Sequence, residues 1–240
     1  CVWSLVAMNT MLADSLNWMA DKLEVELNSG KDVATATLAV LKTVMEQHGK
    51  VVFGGNGYSP EWHKAAVEER GLKNLPTSAD ALPELLSAEV MSLFERTGVL
   101  TPAELHSRFE VYAEQYVNSI DVEAKLMINM ATTMIYPAAV TYLADLAATA
   151  ANLQSLGISL DNSVAQSVAT EANALMVAVG KLTEARAKHD FGSVQDHMKF
   201  LASTVRSLMT EVRIHADTLE TLIADELWPL PKYSEMMYIK

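Results

Sequence analysis

The stretch TPAELHSRFEVYAEQYVNSIDVEAKLMINMATTMIYPAAVTYLADLAATAANLQSL, residues 101–156, decides the fold. It begins with a capping box formed by Thr101 and Glu104, and Pro102 occupies the first helical position. No glycine interrupts the stretch, so the pattern predicts one helix of about 80 Å at a rise of about 1.5 Å per residue. Pro137 should kink this helix, because its ring clashes with the carbonyl four residues earlier.

Two further long helices follow this one. A second capping box, Ser163 to Gln166, predicts a helix that runs to about His189. The last helix carries an apolar seam whose spacing alternates between four and three residues, interrupted by His215. The seam consists of Val194, Met198, Leu201, Val205, Leu208, Val212, Leu219 and Leu222. Short turns reverse the chain, so we predict an all-α fold with three long antiparallel helices in the C-terminal half.

The N-terminal hundred residues are predicted to be helical with one non-helical insert. Helices are expected at 5–27 and 32–48, and Ser59 should cap another that starts at Pro60. Residues 72–81 should be irregular, and a short helix should follow at 87–97. Val51, Val52 and Phe53 form an apolar run that predicts a short strand near the glycine-rich segment at 54–57.

That glycine-rich segment, Gly54, Gly55, Asn56 and Gly57, is the candidate loop near a ligand or partner. Backbone amides at the start of a helix bind anions readily. The segment nevertheless lacks the GxxxxGK[ST] and GxGxxG patterns of phosphate-binding and dinucleotide-binding loops. A tight turn followed by an N-cap is therefore the favoured interpretation, with a ligand-approaching or partner-approaching loop as the alternative.

Composition excludes several classes of function. Lys plus Arg is 18 and Asp plus Glu is 30, so the net charge of −12 argues against nucleic-acid binding and anionic membrane surfaces. The single cysteine, Cys1, favours a reducing, cytoplasmic compartment and excludes thiolate zinc sites. The apolar stretch 127–151 contains Thr132, Pro137 and Asp145, which predicts a buried helix rather than a membrane span. No basic signal-peptide region is visible, and a first residue other than Met indicates a trimmed or partial chain.

The six histidines do not form a recognisable metal motif. The sequence contains no HExxH and no Glu-x-x-His, which a di-iron bundle requires on two helices. Glu110 and Glu114 share a helix face, and Glu211 lies four residues before His215, but neither pair has a second ligand pair. His215 is interpreted as a hydrogen-bonded or register-setting core residue, with a pH switch as the alternative. We predict no catalytic, cofactor-binding or metal-ligating residue in this chain.

Four segments carry a family resemblance, and they occur in the same order as in that family. They are MNTMLADSL (8–16), NGYSPEWHK (56–64), ELHSRFE (104–110) and DELWPLP (225–231). Together they resemble the C-terminal region of type III glutamine synthetase, the long bacterial form. Residues 1–7 match that family poorly, and the family's ATP, glutamate and metal residues lie upstream of Asn9. The resemblance therefore assigns no catalytic position here.

The resemblance implies a parent enzyme that joins ammonia to glutamate with ATP and Mg or Mn, assembled as a double-ring homo-oligomer. Residues 1–50 would continue from a missing N-terminal catalytic domain, 51–100 would be an irregular insert with short helices, and 101–240 would be the long-helix bundle. The chain's role would be architecture and assembly, and no bound cofactor is expected on it. The apolar tail is too short to fold alone, so it should dock on protein surface, more often its own subunit than a neighbour. The docking residues are Trp228, Pro229, Leu230, Pro231 and Tyr233.

Two other functions remain open from the residues. A non-enzymatic helical scaffold is consistent with the apolar seam of the last helix. A metal-oxidising bundle is suggested only by helix content and histidine count, and the missing Glu-x-x-His pairs place it last.

Overall fold

A computed structural model describes residues 2–237, apart from the side chains of residues 233 and 234. The described chain is all-α and contains no β-strand between residues 2 and 237, which confirms the predicted fold class. It divides into two compact units, Cys1–Val111 (unit 1) and Tyr112–Lys240 (unit 2).

In unit 1, each helix after the first begins at a side-chain cap. The Asp32 carboxylate accepts hydrogen bonds from the amides of residues 34 and 35, at 3.0 and 3.1 Å. Ser59 Oγ accepts the Trp62 amide at 3.2 Å, as the sequence predicts. The helices are α1 (Val2–Asn28), α2 (Val33–His48), α3 (Pro60–Glu68), α4 (Ser78–Ala81) and α5 (Ala88–Arg96), with 3₁₀ turns at Gly49–Val51 and Leu82–Leu86.

The predicted short strand at residues 51–53 is wrong. Val51 closes a 3₁₀ turn, and the next two residues are irregular. An isolated extended run has no neighbouring strand to pair its backbone groups, and none exists among residues 2–237. The Arg70 guanidinium satisfies the backbone carbonyls of this run instead. Its Nη1 donates to the carbonyls of Lys50 and Val52, at 3.1 and 2.8 Å. A three-residue apolar run therefore marks a packed turn here.

The prediction that residues 72–81 are irregular is wrong for Ser78–Ala81, which form a helical turn. Thr77 Oγ1 accepts the Asp80 amide at 3.2 Å and starts the one-turn helix α4. The Thr and Asp side chains also bond to each other at 2.5 Å, so the cap is reinforced. Such a short helix carries no periodic pattern, and only the cap could have indicated it.

The long helix of residues 102–155 begins at the predicted capping box. The Thr101 amide donates to Glu104 Oε2 at 2.8 Å, and the Glu104 amide donates to Thr101 Oγ1 at 3.3 Å. Its parts are α6 (Pro102–Met130), a π-helical turn (Ala131–Ile135) and α7 (Tyr136–Ser155). The π turn ends two residues before Pro137, whose ring would crowd the carbonyl of residue 133 in a regular helix. Gly157, at φ 77°, follows the end of α7 as predicted.

Unit 2 continues with two further long helical segments. They are α8 (Ser163–Arg186) and the segment α9 (Val194–Phe200), a π turn (Leu201–Val205) and α10 (Arg206–Leu222), followed by a 3₁₀ turn (Asp225–Leu227) and α11 (Tyr233–Met237). The predicted capping box at Ser163 is wrong, because its hydroxyl donates to Asp161 Oδ2 at 2.9 Å. The Ser163 hydroxyl is therefore bound to the Asp161 carboxylate rather than to the backbone amide that a capping box requires. Asn162 is the residue before the helix, and its side chain makes no capping hydrogen bond.

The core of unit 2 is formed by the inner faces of these three segments. Four residues of the predicted seam, Leu201, Val205, Val212 and Leu219, lie in it, and Leu208 and Leu222 are partly buried against it. Met198 is buried but lies outside this cluster, and Val194 is half-buried. The most completely buried large side chains of unit 2 are Leu175, Leu182, Met198, Leu219, Val168, Val205 and Val212.

One segment among the described residues, Pro102–Ser155, is long and apolar enough to cross a membrane by length and composition alone. Core helices of soluble proteins meet the same criterion. Ala131, Ile135 and Ala139 on this segment belong to the core of unit 2. Only 22% of its most apolar stretch is buried, so the prediction of a buried helix holds for one face of the segment.

Candidate functional site

The glycine-rich loop at 54–57 is anchored by a cluster of two aromatic rings and one arginine. The rings of Phe53 and Trp62 stack with centroids 3.7 Å apart, at 15°. The Arg70 guanidinium lies 4.9 Å from the Trp62 ring centroid and 5.7 Å from that of Phe53. A cation over aromatic faces adds to the two carbonyl hydrogen bonds of Arg70 described above. The base of the loop is therefore held on α3 by this cluster.

Within the loop, Gly55 lies close to the Phe53 ring, so a side chain there would have to displace that ring. A Cβ added there would lie 2.6 Å from the Phe53 ring, whereas one added at Gly54 or Gly57 would meet nothing within 4 Å. Asn56 Oδ1 accepts the Tyr58 amide at 3.0 Å, which forms a side-chain-stabilised turn. The geometry agrees with the turn and N-cap interpretation, and a ligand or partner role of this loop stays a prediction.

Tyr58 lies at the outer end of the same loop, and 92% of its surface is exposed. The amide of Trp62 at the start of α3 is already satisfied by Ser59, so this amide is not free to bind an anion. The loop therefore presents an aromatic side chain and backbone to its surroundings, without a charged group of its own.

The C-terminal tail packs on the core of unit 2. Trp228 is 8% exposed and belongs to that core, and Leu227 and Leu230 are partly buried against it. Pro229 is half-buried, Pro231 is exposed, and the Tyr233 side chain lies outside the described residues. The Trp228 indole N–H is buried and has no hydrogen-bond partner in the described chain. The tail residues that reach the core do so within this chain.

The histidine at the seam of the last segment is hydrogen-bonded. His215 Nδ1 lies 2.8 Å from Glu171 Oε2, and both side chains are about one-quarter exposed. Glu211 pairs instead with Lys181, at 2.7 Å, so the sequence pair Glu211 and His215 is divided between different partners. Across residues 2–237, no group of three or more His, Cys, Asp and Glu side chains comes together in a way that could hold a metal ion.

A cationic cleft in unit 2 was missed by sequence reasoning. Its volume is about 220 Å³, and α6, α9 and the end of α8 contribute to its walls. The cleft takes its charged groups from positions more than 60 residues apart, so no local motif could have revealed it. Its polar lining residues are Asn118, Asp121, Arg186, Lys188, His189 and His197.

Burial and the neighbouring His189 lower the pKa of His197 from its ordinary value near 6.5, and Asp121 opposes this shift. The neutral imidazole is therefore favoured near neutral pH. Its ring stacks on Phe191 with centroids 4.2 Å apart, at 10°. These contacts fix the ring at the edge of the cleft.

Unit 1 exposes an apolar stripe on its first helix. Leu5, Met8, Leu12 and Leu16 recur at spacings of three and four, so they share one helix face, and each is between 54% and 65% exposed. The second helix has a similar set, Leu38, Leu41 and Met45, between 50% and 67% exposed. We call these sets the α1 stripe and the α2 stripe. Sequence reasoning missed that both face outward, because periodicity identifies an apolar face without identifying what covers it.

Opposite charges stabilise unit 1 beside the α1 stripe. Arg96 on α5 binds the Asp14 carboxylate of α1 through two nitrogens, at 2.7 and 2.8 Å. This hydrogen bonding holds the pKa of Asp14 below its ordinary value near 3.8 and raises that of Arg96. Asp14 is thus bound within the chain, whereas the residues of the α1 stripe are largely exposed.

Comparison with known proteins gives one family and several relatives. Residues 36–154 match the family model described as glutamine synthetase C-terminal domain. The chain is 31% identical to a type-3 glutamine synthetase of Dictyostelium discoideum, over 98% of this chain and 33% of that protein. It is 32% identical to a glutamine synthetase of Butyrivibrio fibrisolvens, over 88% of this chain and 31% of that protein. A Bacteroides fragilis glutamine synthetase is 28% identical over 100% of this chain and 34% of its own length. The chain thus spans about a third of the length of these curated relatives.

Proposed function

The chain belongs to the glutamine synthetase family and is related to the C-terminal region of its type-3 members, and we propose a role for it on this basis. The proposed role is that of the helical assembly region of a glutamate–ammonia ligase. The parent enzyme would form glutamine from glutamate, ammonia and ATP, with Mg or Mn. The residues for that chemistry would lie in polypeptide outside this chain, and the chain alone would be inactive. A cytoplasmic location and a double-ring homo-oligomer are parts of the same proposal.

The observation that carries this proposal is the pair of outward apolar stripes on α1 and α2. Burial of one Leu or Met side chain stabilises a protein by about 1.5–3 kcal/mol relative to exposure. Four such residues on α1 and three on α2 therefore represent several kcal/mol that residues 2–237 do not use. About two-thirds of the length of each relative lies outside the part that this chain matches, and we propose that a preceding catalytic domain covers the stripes.

The loop and the tail have different places in this proposal. Trp228 and Leu230 hold the tail on its own core, so we assign the tail to internal docking. The loop at Gly54–Gly57 exposes Tyr58 beyond a rigid aromatic cluster, and we propose that it contacts a neighbouring subunit. A preformed loop loses little conformational entropy when it binds a partner.

We further infer that the three long helical segments of the C-terminal half run antiparallel. Arg186, at the end of α8, binds Asp121 of α6 at 2.7 Å. Glu171, nearer the start of α8, binds His215 of α10. Spin labels at residues 170 and 221 should then lie closer together than labels at 170 and 199. The reverse order of these two distances would contradict the antiparallel arrangement.

A substitution in the α1 stripe tests the assembly function. In a full-length type-3 enzyme that carries this region, Leu12→Glu should reduce glutamine formation about tenfold or more and release smaller species in light scattering. The matched control is Val177→Glu, which places the same charge on an exposed apolar position of α8. The control should leave activity and size unchanged.

The isolated 240-residue chain separates assembly from folding. Leu12→Glu should leave its thermal midpoint within about 2 °C of the unsubstituted chain, because a side chain already exposed loses no packing. A full-length Leu12→Glu enzyme of normal size and activity would contradict the proposal. A stable monomeric chain that binds another protein through the stripes would instead favour the helical scaffold.

A further inference from the structure

The cationic cleft of unit 2 is a site that the assembly function does not use. Its floor is apolar and includes Ala124, Leu201 and Val205, and its rim is polar. An apolar floor with a few convergent polar groups is the usual composition of a small-molecule site. At about 220 Å³ the cleft accommodates a small molecule.

The charges of this cleft do not cancel. Arg186 donates from Nε and Nη2 to the two oxygens of Asp121, at 2.7 and 3.2 Å, so this pair is neutral as a unit. Asp121 is the one carboxylate among the residues that line the cleft. Lys188, His189 and His197 are therefore left as cationic or hydrogen-bond-donating groups on the rim.

Lys188 is held in place by aromatic rings. Its ammonium lies 4.8 Å from the Phe200 ring centroid and 5.5 Å from that of Phe191. A lysine ammonium over two rings is positioned by them and has hydrogen atoms left to donate. A local excess of positive charge in a chain of net charge −12 needs a specific reason, because random placement favours acidic surroundings.

We propose that this cleft binds a small dianion with carboxylate or phosphate oxygens, which Lys188, His189 and His197 contact and the Asn118 amide orients. The Arg186–Asp121 pair forms one wall, and the carboxylate keeps the arginine charge from dominating the site. The apolar floor contacts the carbon skeleton of the ligand. This site is independent of the assembly function.

For a ligand that keeps both negative charges, binding should strengthen as the pH falls toward the lowered pKa of His197. The anion favours protonated His197, whereas burial and His189 disfavour it and lower its pKa. The groups that face His197 are Asp121 from α6 and Arg186, Lys188 and His189 from the end of α8 and the turn after it. Of these, Asp121 alone favours the protonated ring in the absence of ligand.

Titration calorimetry of the 240-residue chain tests the site, with inorganic phosphate and succinate as separate probes at constant ionic strength. Binding of phosphate alone identifies a phosphate-type ligand, and binding of succinate alone identifies a dicarboxylate. Lys188→Gln should weaken the binding about fivefold or more, because it removes a charge-assisted contact. The matched control, Lys199→Gln, removes the same charge from an exposed position on α9 outside the cleft and should change the affinity less than about twofold.

Asp121→Asn should change the anion affinity in the opposite direction to Lys188→Gln. Loss of this carboxylate frees Arg186, so anion affinity should rise about threefold or more. A purely structural role of Asp121 would lower it. Absence of heat with both probes, or equal losses for Lys188→Gln and Lys199→Gln, would overturn the proposal, and circular dichroism of each variant establishes that the chain remains folded.

Discussion

The two units of the chain use apolar side chains in opposite ways. In unit 2, three helical segments bury Leu175, Leu182 and Leu219 completely, and the tail adds Trp228. In unit 1, buried apolar positions such as Ala36 and Phe94 are sparse among the described residues, and the α1 and α2 stripes face outward. The difference indicates that unit 2 has a core of its own, whereas unit 1 presents surface suited to further polypeptide.

The largest expected effect comes from matched truncations in the two units. Leu182→Ala, at a position with no exposure, should cost about 3–4 kcal/mol of the free energy of unfolding, because it leaves a cavity. Leu38→Ala, at 67% exposure, should stay within about 0.5 kcal/mol. Urea denaturation of the isolated chain measures both values. Similar losses at the two positions would remove the contrast between the units.

The capping box at the start of α6 should have an intermediate effect. Thr101→Ala removes the oxygen that accepts the Glu104 amide and should cost about 1 kcal/mol. Thr101→Ser keeps that oxygen and serves as the matched control, with a loss of less than about 0.5 kcal/mol. A full loss in the Ser variant would show that the methyl group, and not the cap, stabilises this helix start.

A double-mutant cycle on Glu171 and His215 sharpens the description of unit 2. The two side chains are hydrogen-bonded at 2.8 Å but partly exposed, so their coupling energy should be about 0.5–1 kcal/mol. The measurement compares both single Ala variants with the double variant in urea. A coupling energy near zero would mean that His215 occupies the seam without stabilising the α8–α10 contact.

The smallest expected effect is the pH dependence of unit 1. The folded-state pKa of Asp14 lies below its ordinary value near 3.8, so the unfolded chain binds more protons in that range. The contribution of the Asp14–Arg96 pair is therefore present above about pH 4 and is lost as the pH falls through the folded-state pKa. Asp14→Asn should flatten the stability profile below pH 4, as followed by circular dichroism. An unchanged profile would contradict this role.

Local signals in the sequence predicted helix starts well. Ser59 and the Thr101–Glu104 pair act where their spacing places them, because a cap is a contact between near neighbours. The strand at residues 51–53 failed for the opposite reason, since Arg70, some twenty residues later, decides how that turn is satisfied. Ser163 failed because Asp161 competes for its hydroxyl.

The candidate sites show the same difference between features set by nearby residues and features set by residues far apart in the sequence. Burial of Trp228 could be predicted, because a short apolar tail has few ways to avoid water. The cationic cleft could not be predicted, since Asp121, Arg186 and His197 come from three different helices. The outward direction of the α1 stripe also required the structure, because an apolar periodicity fits a covered face equally well.

Hydrogen exchange tests the central claim most directly, by comparison of the isolated chain with a full-length type-3 glutamine synthetase that carries this region. If the preceding polypeptide covers the α1 and α2 stripes, amides of α1 and α2 should exchange about tenfold or more slowly in the full-length enzyme. Amides of α8 should be equally protected in both, because its core is complete within this chain. Equal exchange of α1 and α2 in the two proteins would contradict the account.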